Sequence, residues 1–363
     1  MAEPNNTPYP PATPAAQTPR SASPHQPQPI LAPAPAPLPS TQKPKVLHIG
    51  DPIKYNPDTY AAFAAQFEVI RPSTPDRQRP AFAAALRDRK WGDFSSPAGA
   101  PAAKWASGTP SCAGAGFDWA DTQLLGERGV VYCNSGLAAA EAVADFAVAM
   151  VISTFRHLPW CMGAAGDEAA FRDCHARATG VSHTLRSQVL GLVGFGNIGQ
   201  QIAQRLGVGF GMAVHYFDLI RKDEATEGAY KATFHPTLEA LLQSSDCVVL
   251  CTPAGGKIIT KESLAWFKPG ARFVNIARGS LVDEEALADA LEDERLSAVA
   301  LDVHENEPKP HAMAGTKAML TCHNAGGTVE THAGFEELSM RNIMAILGGG
   351  EPITPVNLQY LRK

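Results

Sequence analysis

The sequence predicts an α/β fold with parallel sheets. Three observations predict it. Apolar strand-like runs alternate with helical segments from Lys45 to about His323. One of those runs passes through a glycine-rich turn directly into a helix. The chain has 363 residues, which suggests two domains or three, and with 45% of them hydrophobic and 18% charged it has enough apolar material for a buried core.

The elements follow in order. Residues 1–44 carry 14 of the 30 prolines, set among Ala, Ser, Thr and Gln. Such a stretch cannot bury enough apolar surface to offset its ordering entropy, so it reads as a disordered extension with polyproline character. Order begins at Lys45. Lys45–Gly50 reads as a buried strand, Thr59–Gln66 as a helix, Phe67–Arg71 as a second strand and Arg77–Lys90 as a helix. Residues 95–111 break the pattern and read as a loop or a damaged part of the sheet. The 17 residues between Phe94 and Cys112 leave no room for a crossover of ~10–12 residues flanked by strands of ~5. Val130–Asn134 resumes as a strand. Ala138–His157 reads as a long helix, apolar all round and buried on most sides. It crosses between domains, packs in a subunit interface, or does both. The apolar run within it, Ala142–Phe155, contains Asp145 and is too short to span a bilayer. A second alternating block runs from Gln188 to His323, and Val329–Leu347 forms a final helix.

Composition narrows the function. The net charge is -5 and there is no basic stripe, which argues against nucleic acid as a partner. The start has no apolar h-region and one arginine (Arg20) before Lys43, so neither a secretion signal nor a mitochondrial presequence is expected. The seven cysteines have no zinc spacing, and no metal site is expected. Cys247 and Cys251 sit in an apolar run and read as small core hydrophobes. A reducing, cytoplasmic compartment fits this usage.

The cofactor signal is Gly194-Phe195-Gly196-Asn197-Ile198-Gly199. It follows the apolar strand Val189–Val193 and opens a helix, Ile198–Leu206; a second strand, Met212–Phe217, then ends in Asp218. That is the full context of a dinucleotide site. Gly194 permits a tight turn, Gly196 lets the backbone approach a pyrophosphate, and Gly199 lets the helix pack on the strand. The helix N-terminus offers free N–H groups to the phosphates. Asp218 accepts hydrogen bonds from the ribose hydroxyls and repels a 2′-phosphate, favouring NAD. Arg221 and Lys222 weaken that preference and leave NADP open.

Three further strand-like runs end at chemistry-bearing residues. Phe273–Ala277 leads to Arg278, Ala298–Leu301 to Asp302 and then Glu307, and Ala318–Thr321 to His323. Ligands of open α/β sheets bind beyond the carboxyl ends of the strands. One fixed cation, two carboxylates and an imidazole there suit an anionic substrate and one proton transfer.

These segments together resemble the D-isomer-specific 2-hydroxyacid dehydrogenase family. They are GLVGFGNIGQQIA (191–203), VNIARGSLVDEEAL (274–287), AVALDVHENEP (298–308) and TCHNAGGT (321–328), with AGAGFDWAD (113–121) and AEAVADFAV (140–148) upstream. The details look most like fungal members near D-mandelate dehydrogenase and glyoxylate or hydroxypyruvate reductase, and the resemblance covers nearly all of 45–363. It implies two doubly wound domains with the active site in the cleft between them. A flavodoxin-like substrate domain spans 45–155, with 329–363 returning to it, and a Rossmann-type NAD-binding domain spans 156–328. By motif, Arg278 grips the substrate carboxylate and polarises its oxo group. His323 is the acid–base and Glu307 its partner. Asp302 lies by the nicotinamide end, and the Ala115–Gly116 backbone helps hold the carboxylate. Thr252, Pro253, Ala277 and Gly326 join the cofactor set, and helix 138–157 resembles the family's dimer-forming segment.

The implied activity is NAD(P)H-dependent reduction of a small 2-oxo acid to the D-2-hydroxy acid. The family would have a strand, a helix and a strand where this chain has 95–111. The alternative is therefore a non-catalytic dinucleotide-binding scaffold or sensor with a defective substrate domain. His304, where the family more often has an aromatic, reads as structural, as do His48, His215 and His235.

Overall fold

The computed structural model describes residues 43–48, 52–71, 105–106, 116–118, 120–309, 313 and 317–361. The proline-rich residues 1–42, the expected helix at 77–90, most of 95–111 and Ala115 lie outside the described residues.

Among the described residues the first strand starts at Lys45, and the Pro44 carbonyl just before it accepts the Glu68 N–H at 2.9 Å. Strand β1 (Lys45–Leu47) then runs through helix α1 (Pro57–Gln66) to its parallel partner β2 (Glu68–Ile70). Pro57 suits the first helical position, where no N–H is needed. The helix stops at Phe67, whose backbone is extended.

Strand β3 (Trp105–Ala106) lies parallel to β4 (Val130–Val131). Within 95–111, expected to be a loop or a damaged part of the sheet, the described residues form this short strand, which fits where one of ~5 residues does not. Helix α2 (Thr122–Glu127) precedes β4, capped by Asp121, whose carboxylate accepts the Leu124 N–H at 2.9 Å. After β4 come α3 (Ala140–Arg156), α4 (Leu158–Ala164) and α5 (Glu168–Ala178).

The main sheet has seven parallel strands. They are β5 (Val189–Val193), β6 (Ala213–Phe217), β7 (Thr233–Phe234), β8 (Cys247–Leu250), β9 (Ala271–Asn275), β10 (Leu296–Leu301) and β11 (Ala318–Leu320). Their order across the sheet is β11-β10-β9-β8-β5-β6-β7. Every residue of β8 and β9 is buried, as expected for a parallel sheet covered on both faces. The connecting helices are α6 (Asn197–Ala203), α7 (Glu224–Tyr230), α8 (Leu238–Ser244), α9 (Lys261–Leu264) and α10 (Glu284–Glu292).

On one face Val143, Ala147, Met150 and Val151 of α3 pack against Leu190, Leu192 and Tyr216. On the other, Leu241 of α8 and Leu287 and Leu291 of α10 pack against Val248, Leu250 and Phe273. Residues 136–156 are in fact long and apolar enough to cross a membrane by composition alone, contrary to the shorter count from Ala142 to Phe155. Packing on the sheet accounts for that apolarity. The final helix α11 (Val329–Leu347) buries Met340, Ile343 and Met344 against Val46, Phe63 and Phe67. Its Glu336 carboxylate accepts the N–H groups of Lys54, Tyr55 and Asn56 at 2.8–3.0 Å, tying α11 to the start of α1.

Two half-buried histidines face each other beside β6, with His215 Nδ1 3.0 Å from His235 Nε2. Burial holds both rings below the ordinary value of 6.5, and for His215 the neighbouring His235 adds to the effect. Below about 6.5 the unfolded chain therefore takes up protons that the folded chain refuses. Stability is expected to fall as pH drops from about 7 to about 5, and His215→Asn is expected to flatten that slope. Urea midpoints across that range test it.

Candidate active site

The strand order reverses between β5 and β8, and a parallel sheet binds ligands beyond the carboxyl ends of such neighbours. The chain leaves β5 through Gly194 at φ 98°, a conformation that a side chain disfavours. A Cβ there would also press within 3.0 Å of the Cys251 carbonyl oxygen. At Gly199 a Cβ would fall 2.5 Å from the Gly194 oxygen, so the first turn of α6 sits hard against the loop. Space beside Gly196 is open.

A cavity of about 1310 Å³ spreads from this turn. Gly196, Asn197, Ile198, Thr252 and Pro253 line one part of it. Ala277, Arg278, Asp302, His323, Gly326 and Gly116 line another part. Phe195 does not: its ring is fully buried and stacks on Tyr216 at 4.4 Å, while its N–H donates to Asp218 at 2.9 Å. Asp218 also pairs with Lys222 at 3.0 Å. Burial pushes the Asp218 carboxyl up, but the Phe195 N–H and Lys222 outweigh it and hold it below the usual carboxylate range. Arg221 is committed elsewhere, paired with Glu227 at 2.9 Å.

The residues fit a dinucleotide. The Thr252 hydroxyl is buried in the cleft wall with no hydrogen-bond partner among the described residues, a group that a bound ligand would satisfy. The open space at Gly196 lies where a side chain would fill the cradle before the N-terminus of α6.

The catalytic half is built on three adjacent strand ends. The ladder continues past them, with Asp302 N–H donating to Asn275 O at 3.0 Å and His323 N–H to Asp302 O at 2.7 Å. Strand β9 was expected to reach Ala277 but ends at Asn275, because the Asn275 side chain takes over the backbone bonding. Its Oδ1 accepts the Ala277 N–H at 3.0 Å and its Nδ2 donates to Arg278 O at 2.9 Å. That clamp turns Arg278 out into the cleft. Arg278 Nη1 donates to Ala277 O at 2.6 Å, and Nε lies 3.2 Å from Asp118. A Cβ on Gly116 would fall 1.3 Å from Nη2, so the guanidinium packs directly on the Gly116 backbone.

His323 has a left-handed backbone (φ 53°), costly for a non-glycine residue. Asp302 secures that conformation. It is 1% exposed, and its carboxylate accepts from Thr321 Oγ1 (2.6 Å), Asn324 N–H (2.9 Å) and Ala325 N–H (2.8 Å). The carboxylate that the resemblance puts near a nicotinamide lines the cleft and also holds the histidine loop in shape. His323 Nδ1 donates to Glu307 Oε2 at 2.8 Å, and the other Glu307 oxygen accepts the His304 N–H at 2.9 Å. Burial pushes the Glu307 carboxyl up, but these two bonds prevail and hold it below the usual range. Glu307 is therefore ionised, and it fixes the His323 ring so that Nε2 is the nitrogen left for a substrate.

Sequence reasoning missed Asp118, Asn275 and the backbone of His304. The first two stood inside quoted motifs, but neither residue type announces a guanidinium partner or a backbone clamp. His304 donates Nε2–H to Thr321 O at 2.8 Å, consistent with a structural ring.

The comparisons agree with this geometry. The profile of the D-isomer specific 2-hydroxyacid dehydrogenase NAD-binding domain matches residues 148–325. A glyoxylate reductase from Thermococcus gammatolerans is 34% identical over 260 residues, 68% of this chain and 75% of that protein. The holo D-mandelate dehydrogenase of Rhodotorula graminis is 34% identical with a TM-score of 0.77, covering 87% of this chain and 98% of that one. An NADPH-dependent glyoxylate/hydroxypyruvate reductase from Sinorhizobium meliloti, solved with NADP and malonate, is 25% identical with a TM-score of 0.65; the match covers 89% of this chain and 99% of that one. With a dinucleotide turn, an arginine and a Glu–His pair around one cleft, the chain belongs to the D-isomer-specific 2-hydroxyacid dehydrogenase family.

Proposed function

We propose that this protein reduces a small 2-oxo acid to the D-2-hydroxy acid with a nicotinamide cofactor. The observation that carries the proposal is the Glu307–His323 pair opposite Arg278, in the same cleft as Gly196 and Thr252. Gly196, Asn197, Ile198 and Thr252 would hold NADH, which when bound would supply the hydride taken up at C2 of the oxo acid. Arg278 holds the substrate carboxylate and draws electron density from the oxo group. The Gly116 backbone, with Ala115 beside it in sequence, completes the carboxylate site. His323, protonated, gives its Nε2 proton to the oxygen as negative charge builds there. Glu307 keeps the ring oriented through Nδ1 and leaves Nε2 facing the substrate.

The same proposal takes residues 45–155 with 329–363 as the substrate domain and 156–328 as the NAD-binding domain. The packing of α11 on Val46 and Phe63 supports the return of the C-terminus. The burial of α3 on the main sheet supports a bridging role for that helix. A homodimer through helix 138–157, in the cytoplasm and independent of nucleic acid or membrane, completes the proposal. The formed Glu307–His323 pair favours catalysis over the scaffold reading.

The test is NADH consumption with glyoxylate, hydroxypyruvate, phenylglyoxylate and 2-oxoisocaproate. Turnover of at least one supports the proposal; none, with NADH binding intact, overturns it.

Two further outcomes follow from the site. NADH is expected to bind more tightly than NADPH, because ionised Asp218 repels a 2′-phosphate. Asp218→Asn is expected to narrow the gap by about tenfold, on the order of 1.4 kcal/mol, in a fluorescence titration. Glu307→Gln removes the carboxylate that fixes the His323 ring through Nδ1. The value of kcat is expected to fall by about 100-fold or more with NADH binding unchanged, and an unchanged kcat takes Glu307 out of the pair.

A further inference from the structure

We propose that Cys161 and Cys174 form a dithiol site, modified by exchange with an anionic low-molecular-weight disulfide, in which Cys161 attacks and Cys174 resolves. The two residues lie on the consecutive helices α4 and α5, and their Sγ atoms are 3.8 Å apart. Both line a cavity of about 280 Å³ that shares no lining residue with the catalytic cleft. The site therefore has no part in the reductase chemistry. Arg156 and His175 line the same cavity. Arg156 carries a fixed positive charge, which attracts a negatively charged disulfide to this cavity.

Exposure assigns the roles. Cys161 is half-buried and reachable, whereas Cys174 is 6% exposed. Burial, and then the neighbouring Cys161 thiol, push the Cys174 thiol above its ordinary value, which leaves the more exposed Cys161 as the attacker. In the first step Cys161 loses its proton to solvent and its sulfur attacks one sulfur of the incoming disulfide. That S–S bond breaks and one small thiol leaves, taking up a proton. In the second step Cys174 loses its proton and attacks the Cys161 sulfur, and the second small thiol leaves. Two protein thiols are oxidised to one disulfide, and one small disulfide is reduced to two thiols. The sulfurs must close from 3.8 Å to ~2.05 Å in this step. The product ties the α4–α5 hairpin behind α3.

Oxidised glutathione is the probe. The reduced full-length protein is incubated with it, free thiols are alkylated, and peptides are mapped by mass spectrometry. A Cys161–Cys174 linked peptide is expected to accumulate within one chain. Cys174→Ser is expected to stop at a single glutathione on Cys161, and Cys161→Ser to lose both the link and the adduct. Cystamine, a cationic disulfide, is expected to react about threefold more slowly or worse. Wild type with both thiols still alkylated while the exposed Cys322 carries glutathione overturns the proposal. So does a link between chains, an adduct on Cys174 in Cys161→Ser, or cystamine reacting as fast as glutathione.

Discussion

Replacing His323 by alanine is expected to lower kcat by about 100- to 10,000-fold, the range of a lost general acid, and to leave NADH binding unchanged. The expectation rests on how completely the protein organises this ring. Its Nδ1 is spent on Glu307, and its backbone is held left-handed beside the buried Asp302 carboxylate. Those contacts leave Nε2 for the substrate. The Asp302 bonds run to Thr321, Asn324 and Ala325 and not to the His323 side chain, so the loop survives the truncation. Stopped-flow turnover beside a fluorescence titration of NADH separates the outcomes. Residual activity near wild type would remove His323 as the proton donor. Loss of NADH binding would mean that the substitution has disturbed the cofactor half of the cleft.

The second large effect is Arg278→Lys, expected to cost about 100- to 1000-fold in kcat/KM. Lysine keeps the charge but not the planar fork. The guanidinium is oriented on three sides, by Ala277 O, by Asp118 and by the Gly116 backbone. An ammonium on a flexible stem meets none of these with the same geometry, and it cannot bind a carboxylate through two parallel N–H groups. Losing one charged hydrogen bond together with the fixed geometry is worth roughly 3–4 kcal/mol, at or just above the upper end of the range for one such bond. A substrate carboxylate must share the guanidinium with Asp118, so the loss is expected in KM as well as kcat. Near-normal kinetics in this variant would undo the assignment of Arg278.

Much of the fold was legible because its signals are local. The apolar runs of β5, β8 and β10, the glycines at 194, 196 and 199, and the helix beginning at Val329 depend on residues a few positions apart. The reading went astray where short elements or side-chain bonding set the boundaries. A two-residue strand at Trp105–Ala106 carries too little pattern to register. Strand β9 stops early because of one buried asparagine, which no periodicity reports.

The candidate site divides along the same line. The sequence by itself determined that Arg278, Asp302, Glu307 and His323 stand past strand ends, since an apolar run and the polar residue closing it are neighbours in the chain. Only the tertiary structure decided what each one touches. Glu307 meets His323 across 16 residues, and Asp118 meets Arg278 across 160. Asp302 turned inward to hold a loop, and Cys161 came to face Cys174 through the turn of a helical hairpin. Such contacts depend on how whole elements pack against one another. Packing is fixed by the sum of many weak burial terms over the entire core, and no window of the sequence contains that sum.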